Sequence, residues 1–396
     1  MTTITKILAT FALYWHFTLD TILTHVFVIA CLQAGFSISA ALCMSFDSLL
    51  KITLSIFISH IIIRISPSMR GKGSMMLKLV MIGIWFVAIN QMPIDKLSII
   101  VFIPFLIFKL VLLFDSFMSA EFIFILQEYF SSDLSQSAAA QNILVRASTA
   151  IAPALALTLL FLPHMRLVAF IFAMILSVSS LFFLRKIFLL SSNTPFPINH
   201  QKPFSLRKII ENPMMRWGLI YQIAGNLAFS GVAFLFLSEL KPHSHIFLNE
   251  ITALYSAFLI AQCVVLVLGE DSVPVNEPVH IAPIMGLCGI LVFIASVSQP
   301  GIARLIVCLL IGSTYSFSLS AVQKIITSQL RGPGYIEYAG WAQTAGRLTS
   351  FISVTLFGFA LKAGFLPSTL LMFCGLMGIS AAALLLRYSH KVAFSL

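Results

Sequence analysis

Charge is what this chain has least of. Only 10% of its 396 residues are Asp, Glu, Lys or Arg, while 59% are hydrophobic and the mean hydropathy is +1.01. Soluble domains average roughly 25% charged residues, so a soluble fold is excluded. Long polar stretches are missing too. The longest, roughly residues 191–216, is too short to fold as an extramembrane domain. No Walker motif occurs, and Arg331-Gly332-Pro333-Gly334 has no phosphate-cradle pattern, which argues against direct ATP hydrolysis. The six cysteines lie singly in apolar stretches without a CxxC or a His/Cys cluster, so neither a disulfide framework nor a zinc site is indicated. His243 and His245 alone make a poor metal site. No nucleophile–base pair stands out, and enzymatic activity is not expected.

What the chain does have is apolar length. A helix needs about 20 apolar residues to cross about 30 Å of hydrocarbon. Twelve such stretches read approximately as 4–32, 36–63, 75–92, 97–126, 137–162, 165–190, 214–238, 250–269, 280–299, 301–327, 338–362 and 366–388. The first has no small-residue cleavage site behind it and reads as a retained helix. Proline and glycine punctuate the short turns, as in Asn90-Gln91-Met92-Pro93 and Gln299-Pro300-Gly301. The expected division is a six-helix bundle over 1–190, a linker over 191–213 and a second six-helix bundle over 214–396. This is the layout of transporters built from parallel halves.

The formal charge of +10 could point to nucleic acid, but its distribution points to topology instead. With the N-terminus on the cytoplasmic side, fifteen of the 24 Lys and Arg residues, Lys78 among them, fall on that side and five fall opposite. The remaining four lie within spans. The positive-inside rule produces such a bias, so both termini are expected in the cytoplasm.

Short motifs link this architecture to a known family. After the second helix stand Ser59-His60-Ile61-Ile62-Ile63-Arg64-Ile65-Ser66 and then Arg70-Gly71-Lys72. These resemble the Gly-x-x-x-Asp-Arg-x-Gly-Arg motif of the major facilitator superfamily, with the positive charges kept and Ile63 at the Asp position. In the fourth helix, Lys109 stands where many proton-coupled members carry arginine. The fifth helix, Arg146 to Ala156 with Pro153, resembles the Gly-Pro motif of antiporters with alanines replacing glycines. The resemblance covers essentially the whole chain, and within the superfamily it is nearest to bacterial drug and siderophore exporters. It implies an all-α membrane protein with twelve transmembrane helices in two pseudo-symmetric bundles, and a cavity lined by the first, fourth, seventh and tenth helices.

Those four helices carry polar residues at spacings that share a helix face. The first has His16, Asp20 and Thr24, and the fourth has Lys109 and Ser116. The seventh has Gln222, Asn226 and Ser230, and the tenth has Ser316, Ser320 and Lys324. An Asp, Lys or Arg at mid-membrane costs about 2.5–3.5 kcal/mol on insertion scales, so it must pair or face a wet cavity. Asp20 is the first candidate for proton coupling, with His16 one turn away and Asp115 a further choice; a static Asp20–His16 pair is the structural alternative. Lys109, Arg146, Arg347, Gln222, Asn226, Ser316, Ser320 and Thr24 are candidates for substrate binding. Asp47 and Lys51, four apart, read as an ion pair within the second helix, with an inter-helix gate as the other reading.

The expected function is secondary active transport across the inner (plasma) membrane by alternating access. The proton gradient drives it, with no cofactor or metal, and the protein works as a monomer. The substrate expected is a small anionic or amphipathic organic molecule, siderophore-like or drug-like, moved by efflux. The alternatives are an importer of an anionic metabolite or ferric siderophore, and a non-transporting membrane receptor on the same scaffold. Besides the substrate, the lipid bilayer is the expected partner, and nucleic acid is not.

Overall fold

A computed structural model of the protein describes residues 3–63, 65–91, 99–118, 150–191, 210–240, 249–268, 277–329 and 333–393. The described residues form twelve α-helices and no strand. They are α1 (Thr3–Gln33), α2 (Ser37–Ile63), α3 (Pro67–Asn90), α4 (Ile99–Met118), α5 (Ala150–Phe161) and α6 (His164–Ser191). The second set is α7 (Pro213–Ser238), α8 (Glu250–Leu268), α9 (Ile281–Val297), α10 (Ile302–Gln329), α11 (Pro333–Lys362) and α12 (Pro367–Ala393). Among the described residues, nine helices are long and apolar enough to cross a membrane, and α5 and α8 contribute shorter apolar stretches. This is a multi-pass helical membrane protein.

Most helices begin and end within a few residues of the expected limits. The largest departure is α3, expected from residue 75 but starting at Pro67. Proline at the first helical position is pre-set for helix and needs no N–H partner there, so Arg70, Gly71 and Lys72 belong to the first turns of α3 rather than to a loop. The earlier start also corrects the placement of Lys78. It lies in the interior of α3 with 1% of its surface exposed, and so leaves the set of cytoplasmic-side charges.

By backbone contacts the chain groups into two compact units, Met1–Ala34 with Leu50–Ile198 and Gly35–Leu49 with Asn199–Leu396. The first turns of α2 therefore group with the C-terminal helices. Within that unit Ser37 donates to the Gly358 carbonyl of α11 at 3.0 Å.

In the first unit α3 packs along α4 and α6, and α1 packs on α6, α3 and α4. Its fully buried residues include Trp85, Phe27, Phe105, Phe108 and Leu23. The Phe27 and Phe105 ring centroids are 4.6 Å apart, and the Trp85 indole N–H donates to the Leu19 carbonyl at 3.1 Å. That bond fixes the register of α3 against α1. On the other side of α6, Leu167, Val168, Ile171, Phe172, Ile175 and Phe182 are exposed. An apolar stripe where a soluble protein would be polar is the surface a hydrocarbon solvent requires.

In the second unit α9 lies along α12, α8 along α10, and α7 along both α11 and α12. Lipid offers no hydrophobic drive for helix association, so small residues that admit close backbone approach carry much of it. A Cβ on Gly289 would sit 2.8 Å from the Gly375 carbonyl, and one on Gly375 would sit 2.7 Å from the Phe293 nitrogen. No side chain larger than hydrogen fits at this crossing.

Candidate functional site

The first unit holds two ion pairs in its apolar interior. On α4, Lys109 and Asp115 are six residues apart, and both are buried. Lys109 Nζ lies 2.5 Å from Asp20 Oδ1 on α1 and donates to Thr24 Oγ1 at 2.8 Å. Thr24 in turn donates to the Asp20 backbone carbonyl at 2.8 Å. The expected polar face of α1 is thus real, and Lys109 reaches it from α4. A threonine one turn after Asp20 gives the ammonium a second acceptor.

The second pair is Lys78 with Asp115, both essentially inaccessible. The Ser74 hydroxyl donates to Asp115 Oδ1 at 2.6 Å and lies 3.4 Å from Lys78 Nζ. Ser74 and Lys78 are i, i+4 on α3, so one turn of helix presents both to the same carboxylate. His16 of α1 approaches from the other side, with Nε2 3.4 Å from Asp115 Oδ2. Neither ring nitrogen of His16 has a hydrogen-bond partner among the described residues, although the side chain is buried. His16 therefore faces Asp115, and Asp20 is paired with Lys109.

The candidates of the second unit form a neutral hydrogen-bonding surface. On α7, Asn226 donates to the Gln222 carbonyl at 2.7 Å, and Ser230 donates to the Asn226 carbonyl. Gly346 of α11 faces this stripe: a Cβ there would lie 2.7 Å from Gln222 Nε2 and 3.1 Å from Asn226 Nδ2. The missing side chain makes room for both amides. On α10, Ser316 and Ser320 both accept from Gln262 Nε2 of α8, at 2.9 and 3.0 Å. Ser316 is fully buried and donates to the Phe258 carbonyl at 3.0 Å. These two serines thus join α10 to α8. Tyr315 beside them stacks near Phe229 and Phe258, with centroids 5.1 and 6.1 Å away.

Arg347 of α11 is half-buried and donates to Gln343 Oε1 at 3.4 Å. The charge of Asp47 acts on it within the same unit. Asp47 and Lys51 are both half-buried on α2. Arg146 lies outside the described residues.

A further pair, Glu239 with Arg304, closes the end of α7 against the start of α10. The Arg304 guanidinium also lies over the Phe236 ring, 5.2 Å from its centroid. Burial pushes the Glu239 carboxyl above its ordinary range, and the neighbouring arginine only partly offsets this.

Sequence reasoning missed Lys78, Ser74 and Gln262. For Lys78 a signal existed, since it stands alone in the apolar run Met75 to Val87. For Gln262 there was none beyond an isolated amide in an apolar helix.

No protein-family model matches this chain, and no curated protein matches it in sequence. Among solved structures it is similar to the crystal structure of the E. coli fucose:proton symporter FucP. The match has a TM-score of 0.53 at 15% identity and covers 98% of each chain. That neighbour is a major facilitator superfamily transporter. At this identity the likeness shows the fold: the chain is a multi-pass membrane protein folded as a major facilitator transporter is.

Proposed function

We propose that this chain belongs to the major facilitator superfamily and is a secondary active transporter that couples movement of a small organic molecule to protons through Asp20. One observation carries the reading, the interior Asp20–Lys109 pair with Thr24 as a second partner for the lysine. Asp20 is 14% exposed, whereas Asp115 is wholly buried, so Asp20 is the carboxylate a proton reaches more readily. Protonation removes its attraction for Lys109, while Thr24 still holds the ammonium. The same α1–α4 contact thus has two forms that differ by one proton, which is what a coupled conformational change requires.

The substrate lies against the neutral stripe of Gln222 and Asn226, with Arg347 as the cation that favours an anionic or carboxylate-bearing compound. Lys109 and Lys78 have carboxylate partners, so the case for an anion rests on Arg347 and on Arg146. Efflux, with a siderophore-like or drug-like molecule as cargo, rests on the alanine-substituted Gly-Pro pattern of the fifth helix. The second reading is import with protons, favoured by the similarity in fold to a fucose:proton symporter. A non-transporting receptor is the remaining alternative.

The test is dye-reported proton movement in vesicles of both orientations, challenged with citrate-type siderophores, amphipathic drugs and hexoses. Substrate-dependent proton movement that Asp20→Asn abolishes is the expected outcome, and the active orientation gives the direction. Proton movement unchanged in Asp20→Asn would refute the coupling role. No response to any compound by folded protein would favour the receptor.

A further inference from the structure

In the second unit the end of α7 meets the starts of α8 and α10, and three charges gather there. Glu239 follows the last residue of α7, Glu250 opens α8, and Arg304 lies in the first turn of α10. Arg304 has 4% of its side chain exposed and pairs with Glu239, which has 25%. Glu250 is half-buried, and its charge acts on Glu239. All three charges act on Cys308, one turn of α10 beyond Arg304. Among the described residues, the other helices packed on α7 bring one more charge to this face, the exposed Lys362 at the end of α11; α9 and α12 bring none.

Two acids here share one buried base, so the cluster carries a negative charge in excess, and one proton would neutralise it. The helix ends decide which acid takes that proton. Glu250 stands at the positive end of the α8 dipole, which favours an anion, whereas Glu239 stands at the negative end of the α7 dipole, which opposes one. Burial is the largest influence on the Glu239 carboxyl and raises it, Arg304 opposes this, and Glu250 adds to it. Solvent reaches Glu239 directly. Once it is protonated, Arg304 still lies over the Phe236 ring and, within the same cluster, has the charge of Glu250 to balance it. An uncompensated buried charge is thereby avoided. What is lost is the tie across the end of α7. Beyond Ser238 the Glu239 N–H donates to the Phe236 carbonyl at 3.2 Å and the Leu240 N–H to the Leu237 carbonyl at 3.3 Å. Bonds of that length hold weakly, so the ion pair is the main fastening of this turn.

We propose that Glu239 is the proton-sensing group of a clasp between the end of α7 and α10: ionised it holds Arg304, and protonated it releases the last turn of α7 while Glu250 balances the guanidinium. Because α7 carries the stripe of Gln222 and Asn226, the clasp ties the setting of that stripe to the pH at this membrane face. The orientation expected from the basic residues makes this the outer face. The clasp is built wholly within the second unit and does not depend on a coupling role for Asp20.

The experiment is electron paramagnetic resonance of the full chain in lipid nanodiscs with a nitroxide on Leu240→Cys, read between about pH 8 and about pH 4. The chain without that substitution, labelled in parallel, supplies the background from the native cysteines. The label is expected to be immobile at the alkaline end and to gain mobility as pH falls through a midpoint above 4.5. In Glu239→Gln it should be mobile throughout. Glu250→Gln, which leaves the ion pair intact, should lower the midpoint by on the order of half a pH unit, about a threefold change in proton affinity. A label on Lys362→Cys, at the same face, should show no transition. Mobility that does not change with pH, or that changes alike at Lys362→Cys, overturns the clasp. A transition that survives in Glu239→Gln also overturns it, and assigns the titration to another group such as His243 or His245, which follow in the sequence. A midpoint unmoved in Glu250→Gln removes the balancing role of Glu250. None of these outcomes bears on Asp20, whose test is the proton movement described above.

Discussion

At the scale of the residue, the interior of the first unit is a problem of charge in a medium that cannot solvate it. Lys78 and Asp115 share one partnership and Lys109 and Asp20 another, so two cations meet two carboxylates. Breaking a buried pair by removing one partner leaves an uncompensated charge and costs about 3–5 kcal/mol, whereas removing both is far milder. Lys109→Met is therefore expected to lower the melting temperature of the purified protein sharply, and Lys109→Met/Asp20→Asn to recover most of the loss. A double variant as unstable as the single would show that Asp20 is held by other groups. The Glu239–Arg304 pair allows a pH prediction because its carboxyl is raised by burial. A raised carboxyl binds its proton more tightly in the folded state than in the unfolded state. The folded state is thus favoured at and below the ordinary value of 4.5 and loses that advantage as pH rises through the folded value. Glu239→Gln should flatten the fall of melting temperature with pH over this interval, and an unchanged slope would assign the dependence to another group.

At the scale of the element, the second unit depends on how closely α9 and α12 approach. Gly289 and Gly375 face each other at backbone distance, and Gly375 also abuts the Phe293 nitrogen. Gly375→Leu must push the helices apart, and overpacking of this kind costs about 1–3 kcal/mol or more where backbone is the obstacle. The expected result is loss of the monodisperse peak in detergent size-exclusion chromatography; a normal peak and melting temperature would mean that the helices part easily. Much of the element order was legible in the sequence, because apolar runs of spanning length broken by proline and glycine leave few choices. The error at α3 is instructive. Arg70, Gly71 and Lys72 look like a loop by polarity, yet Pro67 begins a helix that carries them inward to Lys78. The candidate site was legible by residue and less so by partner. Asp20, Lys109 and Thr24 were named from their spacing within helices that the family resemblance places at the cavity, but that Lys109 would reach Asp20 depends on how α4 packs on α1. One sequence cannot reveal that packing. Gln262 shows the same limit, since its role exists only through the contact of α8 with α10.

At the scale of the whole molecule, the remaining physical signal is the asymmetry of surface charge. Lys78 drops out of the cytoplasmic set because it is buried with Asp115, but its loss removes one charge from fifteen and leaves the bias standing. The asymmetry acts during insertion, when short basic loops resist translocation. It is therefore a statement about orientation that the fold alone does not supply. Lys362 ends α11 and Arg387 is exposed near the end of α12, so one span separates them. The six native cysteines are buried or half-buried, which keeps the background of an impermeant maleimide low. In intact cells Lys362→Cys is expected to react with such a reagent, and Arg387→Cys to react only after the membrane is opened. The reverse pattern would place both termini outside, and the orientation read from the basic residues would then be wrong. Reaction of both before opening would mean that α12 does not cross the bilayer.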